Sequence, residues 1–179
     1  MNFVHPMNIL GSMVDLAIKA ALELDNLTQK IVQNTGLTQD FTHVMRGAAD
    51  GLRMSGVSFE DTSKAIGALS ENFSGFTGAQ DENAVHMTRT LSLLNELGAE
   101  MGDAAKSMDL FHRALGMGAK AAADMSAEII MMGSQMGISA KKMGKDFVAA
   151  MGKLSAHGKR GVEVFKGLAA AAKAAGLEL

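Results

Sequence analysis

The sequence predicts an all-α protein, and three observations carry that expectation. No proline follows Pro6, so nothing beyond it interrupts a helix by that route. Apolar residues recur at helical spacing through most of the chain. Strand signals are scarce, the VEVF at 162–165 being too short and too isolated to count.

The first element runs from Ser12 to Gln33. Met13, Ala17, Ala20, Leu24, Leu27 and Ile31 alternate steps of four and three, the seam of a coiled coil, and Val14, Ile18 and Leu22 widen it on one side. A helix of that length spans roughly 33 Å. The expectation is self-association along this seam, weighed evenly against a core helix of a globular bundle.

Three joints then open in the same way, as Gly36-Leu37-Thr38, Gly56-Val57-Ser58 and Gly137-Ile138-Ser139. A glycine just past a helix adopts the left-handed conformation at little cost. The aliphatic residue packs back on the helix just ended, and the hydroxyl of Thr38, Ser58 or Ser139 caps the next one. Asp61 stands at the capping-box position after Ser58, and Ile138 is placed to staple Met143. Gly-aliphatic-Ser/Thr therefore reads as a compact helix-to-helix break.

A wider rhythm accompanies them. Gly36, Gly56, Gly78, Gly98, Gly116, Gly137, Gly158 and Gly176 stand 18 to 22 residues apart. The helices implied are 38–54, 58–73, 81–97, 103–115, 119–136, 139–156 and 160–175, with the clearest loop at Ser74–Gln80. Three regions follow: a self-associating N-terminal helix at 1–36, a helical pair at 37–78, and an Ala/Gly/Met-rich multi-helix region at 79–179. Gly67, Gly144, Gly152 and Gly167 fall inside these helices, each costing about 1 kcal/mol relative to Ala. With eight Phe, no Trp, no Tyr and 15 Met, the chain reads as a string of modest helices stabilised chiefly by neighbouring copies or a surrounding sheath.

Chemistry is harder to find. With no cysteine, thiolate metal sites and thiol nucleophiles are excluded. His5, His43, His86, His112 and His157 lie at least 26 residues apart and show no zinc-motif spacing. Gly116–Lys120 and Gly158–Gly161 lack the strand that a phosphate loop needs and read as joints; the latter is a candidate contact for an acidic partner or a passing nucleic acid. Ser155 and His157 are too close in sequence to form a triad. The methionines at 125, 131, 132 and 136 read as packing or interface residues. No catalytic residue, cofactor or metal is expected, and the net charge of −2 argues against sequence-specific nucleic-acid binding.

Two stretches carry a resemblance. RGAADGLRMSGVSFEDTSKAIGALSENFSGFTG (46–78) and GISAKKMGKDFVAAMGKLSAHGKRGVEVFKGLAAAAKAAGLE (137–178) resemble segments of phage tail tape measure proteins. The resemblance implies a helical, homo-oligomeric virion structural protein that sets tube length in assembly and leaves before DNA on ejection. Its implied partners are tail tube and baseplate or tail-tip proteins, with host membrane contact on ejection. Its implied places are the tail lumen or tip and, during assembly, the host cytoplasm. Fully helical, the chain would reach only about 270 Å, so a segment of a longer protein or a short relative is expected. Two other readings remain open. One is an interaction module binding partner helices through Met-rich grooves; the other is a membrane-active helical protein.

Overall fold

A computed structural model describes residues 19, 21–23, 25–33, 42–52, 55–76, 82–158 and 160–176. All regular structure among these residues is helical. The described residues between 19 and 33 form α1. There follow α2 (Thr42–Leu52), α3 (Phe59–Asn72), α4 (Glu82–Glu96), α5 (Met101–Leu115), α6 (Ala119–Gln135) and α7 (Ala140–Leu154). A 3-10 turn, Ser155–His157, leads into α8 (Arg160–Ala174), which contains the VEVF stretch.

The packing has a simple rule. Each helix from α2 to α5 touches the next helix and the next but one: α2 packs on α3 and α4, α3 on α4 and α5, α4 on α5 and α6, α5 on α6 and α7. Even-numbered helices therefore form one layer (α2, α4, α6) and odd-numbered helices the other (α3, α5, α7), as in stacked helical repeats. α8 joins through α7 and the 155–157 turn.

The joints alternate with the layers. Gly56, Gly98 and Gly137 precede the odd-layer helices α3, α5 and α7, and all have positive φ, between 72 and 84°. After each comes an apolar residue and then a cap. Ser58 accepts from the Asp61 amide while the Asp61 carboxylate accepts from the Ser58 amide, a complete capping box. Glu100 accepts from the Asp103 amide at 2.9 Å and Ser139 from the Lys142 amide at 3.3 Å. At the latter two joints the preceding helix closes through Ala99 N–H to Leu94 O and Ile138 N–H to Gly133 O, the wide turn that a left-handed glycine allows. The unit thus recurs about every 40 residues, a length typical of two-helix repeats. The even-layer helix α6 starts differently, at Gly118 with no side-chain cap.

Because Glu100 caps α5, that helix begins at Met101 and not at 103 as the sequence spacing implied. Gly36, Thr38 and Gly78 lie outside the described residues. So do Met13, Ala17, Ala20 and Leu24 of the expected seam. Its last two positions point inward: Ile31 is buried and Leu27 packs against the same cluster, which holds Val44 and Met45 of α2.

Two apolar clusters share the helices. One extends from Ile31 through Ile66, Leu69, Leu91 and Met108 to Ala140, so the three regions drawn at residues 36 and 78 contribute to one core. The other gathers Phe111, Ile129, Met143, Phe147, Met151 and Phe165. Phe147 stacks on Phe111 at 5.0 Å between ring centroids and meets Phe165 edge-on at 5.1 Å, geometries that aromatic quadrupoles favour. A single chain therefore buries these large side chains without a second copy.

Close approach needs glycine at places other than those flagged from sequence. A Cβ on Gly133 would lie 2.7 Å from the Met143 Cβ, and one on Gly161 would lie 2.6 Å from the Leu154 carbonyl oxygen. By contrast Gly67, Gly152 and Gly167 face open space, and Gly144 would make only an ordinary contact with Ile130.

Candidate functional site

Buried polar side chains are occupied with structure, the Ser92 hydroxyl excepted. The Ser107 and Ser126 hydroxyls bond each other between α5 and α6, sealed from solvent. Thr62 and Thr88 donate to carbonyls one turn back. Asp109 accepts from both the amide and the hydroxyl of Ser74, tying the 73–76 loop to α5. His112, its neighbour on that helix, instead donates through Nδ1 to the Met117 carbonyl and lies against the Phe73 ring. Among the described residues no group of three or more His, Asp or Glu could hold a metal ion. No described helix is long and apolar enough to cross a membrane.

What the fold does offer is a groove on the even layer. It has a volume of about 840 Å³ and runs between α4 and α6, with Lys166 of α8 at its rim. Its apolar lining is Leu93, Leu94, Leu97, Ala127, Met131 and Met132. Leu93, Leu97 and Met131 are 40%, 53% and 50% exposed. These are three of the six large apolar side chains that are exposed among the described residues.

The sequence made this surface visible only in part. LSLLNEL, residues 91–97, places four leucines at the end of α4 and in the turn after it, and of these only Leu91 and Leu94 are buried. Two must therefore point elsewhere, since an amphipathic stripe has limited width. The methionine tract divides as well. Met125, Met132 and Met136 pack on the phenylalanine cluster, while Met131 faces the groove. Spacing alone could not separate these, because Met132 both supports the cluster and lines the groove.

Charged groups frame the apolar floor. Lys166 pairs with Glu128 between α8 and α6. Asp124 accepts from His86 Nε2 at 2.6 Å and from Lys120 Nζ at 2.9 Å, joining α4 to α6. Burial pushes the Asp124 carboxyl up, but the bonds from Lys120 and His86 outweigh it and hold it below the ordinary carboxylate value. Arg89 crosses the other seam of this layer and donates to the Gly47 carbonyl in α2. Glu96, at the C-terminal end of α4, lines the groove without an ion pair among the described residues.

No protein-family model matches the chain. No curated protein matches it either, nor does any solved structure. The site must be read from its own chemistry. It presents flexible apolar side chains within a frame of Glu96, Asp124, Glu128 and Lys166. Such a surface accommodates another helix.

Proposed function

We propose that the chain is a structural protein of a phage tail, of the tape measure type, which works by protein contact and not by catalysis. The observation that carries the reading is the resemblance of residues 46–78 and 137–178 to tape measure segments. Support comes from the fold positions of those stretches. The first forms most of α2 with α3, the second forms α7 with α8, and α3 and α7 open with the same glycine-cap joint in the same layer. On this reading the chain associates with copies of itself and meets tail tube and baseplate or tail-tip proteins. It lies in the tail lumen or tip and departs ahead of DNA. Mass spectrometry of purified particles of the encoding phage tests it. The chain should be present in DNA-filled particles and depleted after triggered ejection; its absence from filled particles would end the proposal.

A second reading is favoured by the groove itself. Here the chain is an interaction module whose α4–α6 surface takes an amphipathic helix through Leu93, Leu97, Met131 and Met132. The test is a titration of a basic amphipathic peptide into protein carrying 13C-methyl methionine. Signals of Met131 and Met132 should shift while that of Met45, buried in the other cluster, stays in place. Unmoved signals at Met131 and Met132 would remove this reading.

A further inference from the structure

The six exposed large apolar residues fall in three places. Leu93, Leu97 and Met131 line the groove, Val164 and Leu168 stand on α8 at 40% and 55% exposure, and Leu22 lies on α1. On α8, Val162, Phe165 and Ala169 turn inward to the core. By the helical repeat of 100° per residue, Arg160, Val164, Leu168 and Ala171 lie on the outward side. Lys166, which rims the chain's own groove, sits round the helix from Leu168. The ridge on α8 and the groove on α4–α6 thus point in different directions on one molecule, and neither can fill the other within a chain.

Charge separates along the sequence in the same sense. Residues 137–179 contain eight Lys or Arg against three Asp or Glu, whereas residues 1–136 contain nine against sixteen. The groove belongs to the acidic part and is lined by Glu96, Asp124 and Glu128 against a single Lys166. The ridge belongs to the basic part and begins with Arg160, exposed at the N-terminal end of α8. The positive end of one helix dipole and an arginine would face Glu96 and the negative end of α4.

We infer that the occupant of the groove is α8 of a second copy of this chain, seated by Val164 and Leu168 between Leu97 and Met131. The inference rests on reading the groove as a helix-binding surface and names the helix. Groove and ridge are different surfaces, so the contact is heterologous and propagates head to tail. The complementary charges steer the encounter and make it salt-sensitive.

Sedimentation velocity on the full chain, across concentration and salt, is the experiment. Wild type should grow beyond a dimer as concentration rises and revert towards monomer in high salt. Met131→Asp spoils only the groove and Leu168→Asp only the ridge; both sites are half exposed, so helix content by circular dichroism should hold. Each variant alone should be monomeric, its self-affinity weakened at least about tenfold. An equimolar mixture should give a capped dimer, because one partner retains a sound ridge and the other a sound groove. A mixture that stays monomeric, or variants that assemble like wild type, would overturn the inference. So would a monomeric wild type whose basic end binds DNA instead. If wild type is monomeric but the peptide titration shifts Met131 and Met132, the second-copy occupant falls while the groove reading stands; if neither responds, both fall.

Discussion

Phe147→Ala measures how far the chain stabilises itself. The ring is fully buried, stacked on Phe111 and edge-on to Phe165, in a cluster that joins α5, α6, α7 and α8. Truncating a buried Phe to Ala costs roughly 3–5 kcal/mol, through lost transfer energy and the cavity left behind. The two ring contacts, at about 0.5–1.5 kcal/mol each, place this site towards the upper part of that range, near ~4 kcal/mol. Domains have only about 5–15 kcal/mol in total, so a large share would go. For a chain of this size the melting temperature should fall by about 8–16 °C. Phe147→Leu keeps most of the apolar volume and should cost about half as much. Urea unfolding at micromolar concentration, followed by circular dichroism at 222 nm, gives the difference directly. A loss under about 1 kcal/mol for the Ala variant would refute the intramolecular core, because the ring would then be supported by something other than its own chain.

Three further substitutions probe backbone, polar satisfaction and pH. Gly137→Ala forces a side chain into φ 72 and should lose about 1 kcal/mol, whereas Gly152→Ala, with nothing within 4 Å of the added carbon, should gain up to about 1 kcal/mol; equal shifts in urea midpoint would contradict this. The Ser92 hydroxyl is buried with no hydrogen-bond partner among the described residues, so Ser92→Ala should raise the thermal midpoint, by about 1 kcal/mol or less in stability; a clear loss would reveal a bond at that hydroxyl. The Asp61 carboxyl is held below its ordinary 3.8, first by the Ser58 hydroxyl, with burial opposing and the Ser58 amide and Lys64 assisting. The folded state therefore binds this proton less readily, and the contribution is full above pH 3.8 and lost as pH falls through the depressed value. Asp61→Asn should destabilise at pH 7 and lose that effect progressively as pH falls below 3.8 through the depressed value; a penalty independent of pH would show that charge is not involved.

The helices were legible in the sequence because their punctuation is chemical. A left-handed turn calls for glycine, and Gly56, Gly98, Gly116, Gly137, Gly158 and Gly176 do have positive φ, while Gly36 and Gly78 lie outside the described residues. The expected bounds of α3, α4, α6, α7 and α8 fall within two residues of those observed. The start of α5 was missed because its cap is Glu100, a residue more familiar at the third helical position than before the first. Layering was not legible, since it depends on which side of each helix meets which neighbour. The outward leucines of α4 and Met131 on α6 satisfy helical periodicity as well as core residues do, so only their exposure marks them as a surface. Leu27 and Ile31 show the reverse case. Their heptad spacing is compatible with a partner strand, yet Val44 and Met45 follow closely enough in the chain to occupy that place first.

Within the tail reading, the layered packing changes what this segment can contribute. A two-layered stack advances by about one helix diameter, ~10 Å, for each pair of helices. The same pair drawn out as one helix of about 40 residues covers ~60 Å. A packed array is thus a poor ruler and a good docking body, and to become a ruler it must expose Phe111, Phe147 and Phe165. The cost of that exposure favours the packed form inside the tail as well as outside it. The absence of cysteine makes this measurable with one pair of labels, at Lys64→Cys on α3 and Lys141→Cys on α7. Both side chains line the same shallow recess beside Glu100 and Met101, so in the array the labels lie within roughly 20–30 Å. Along a continuous helix they would be ~115 Å apart. Energy transfer should be efficient in the purified chain and remain so in assembled particles. Efficient transfer in the free chain that vanishes in particles would mean that the tube draws the helices into a line, with its wall or neighbouring copies covering the phenylalanines, and docking would then give way to length as the role of this segment.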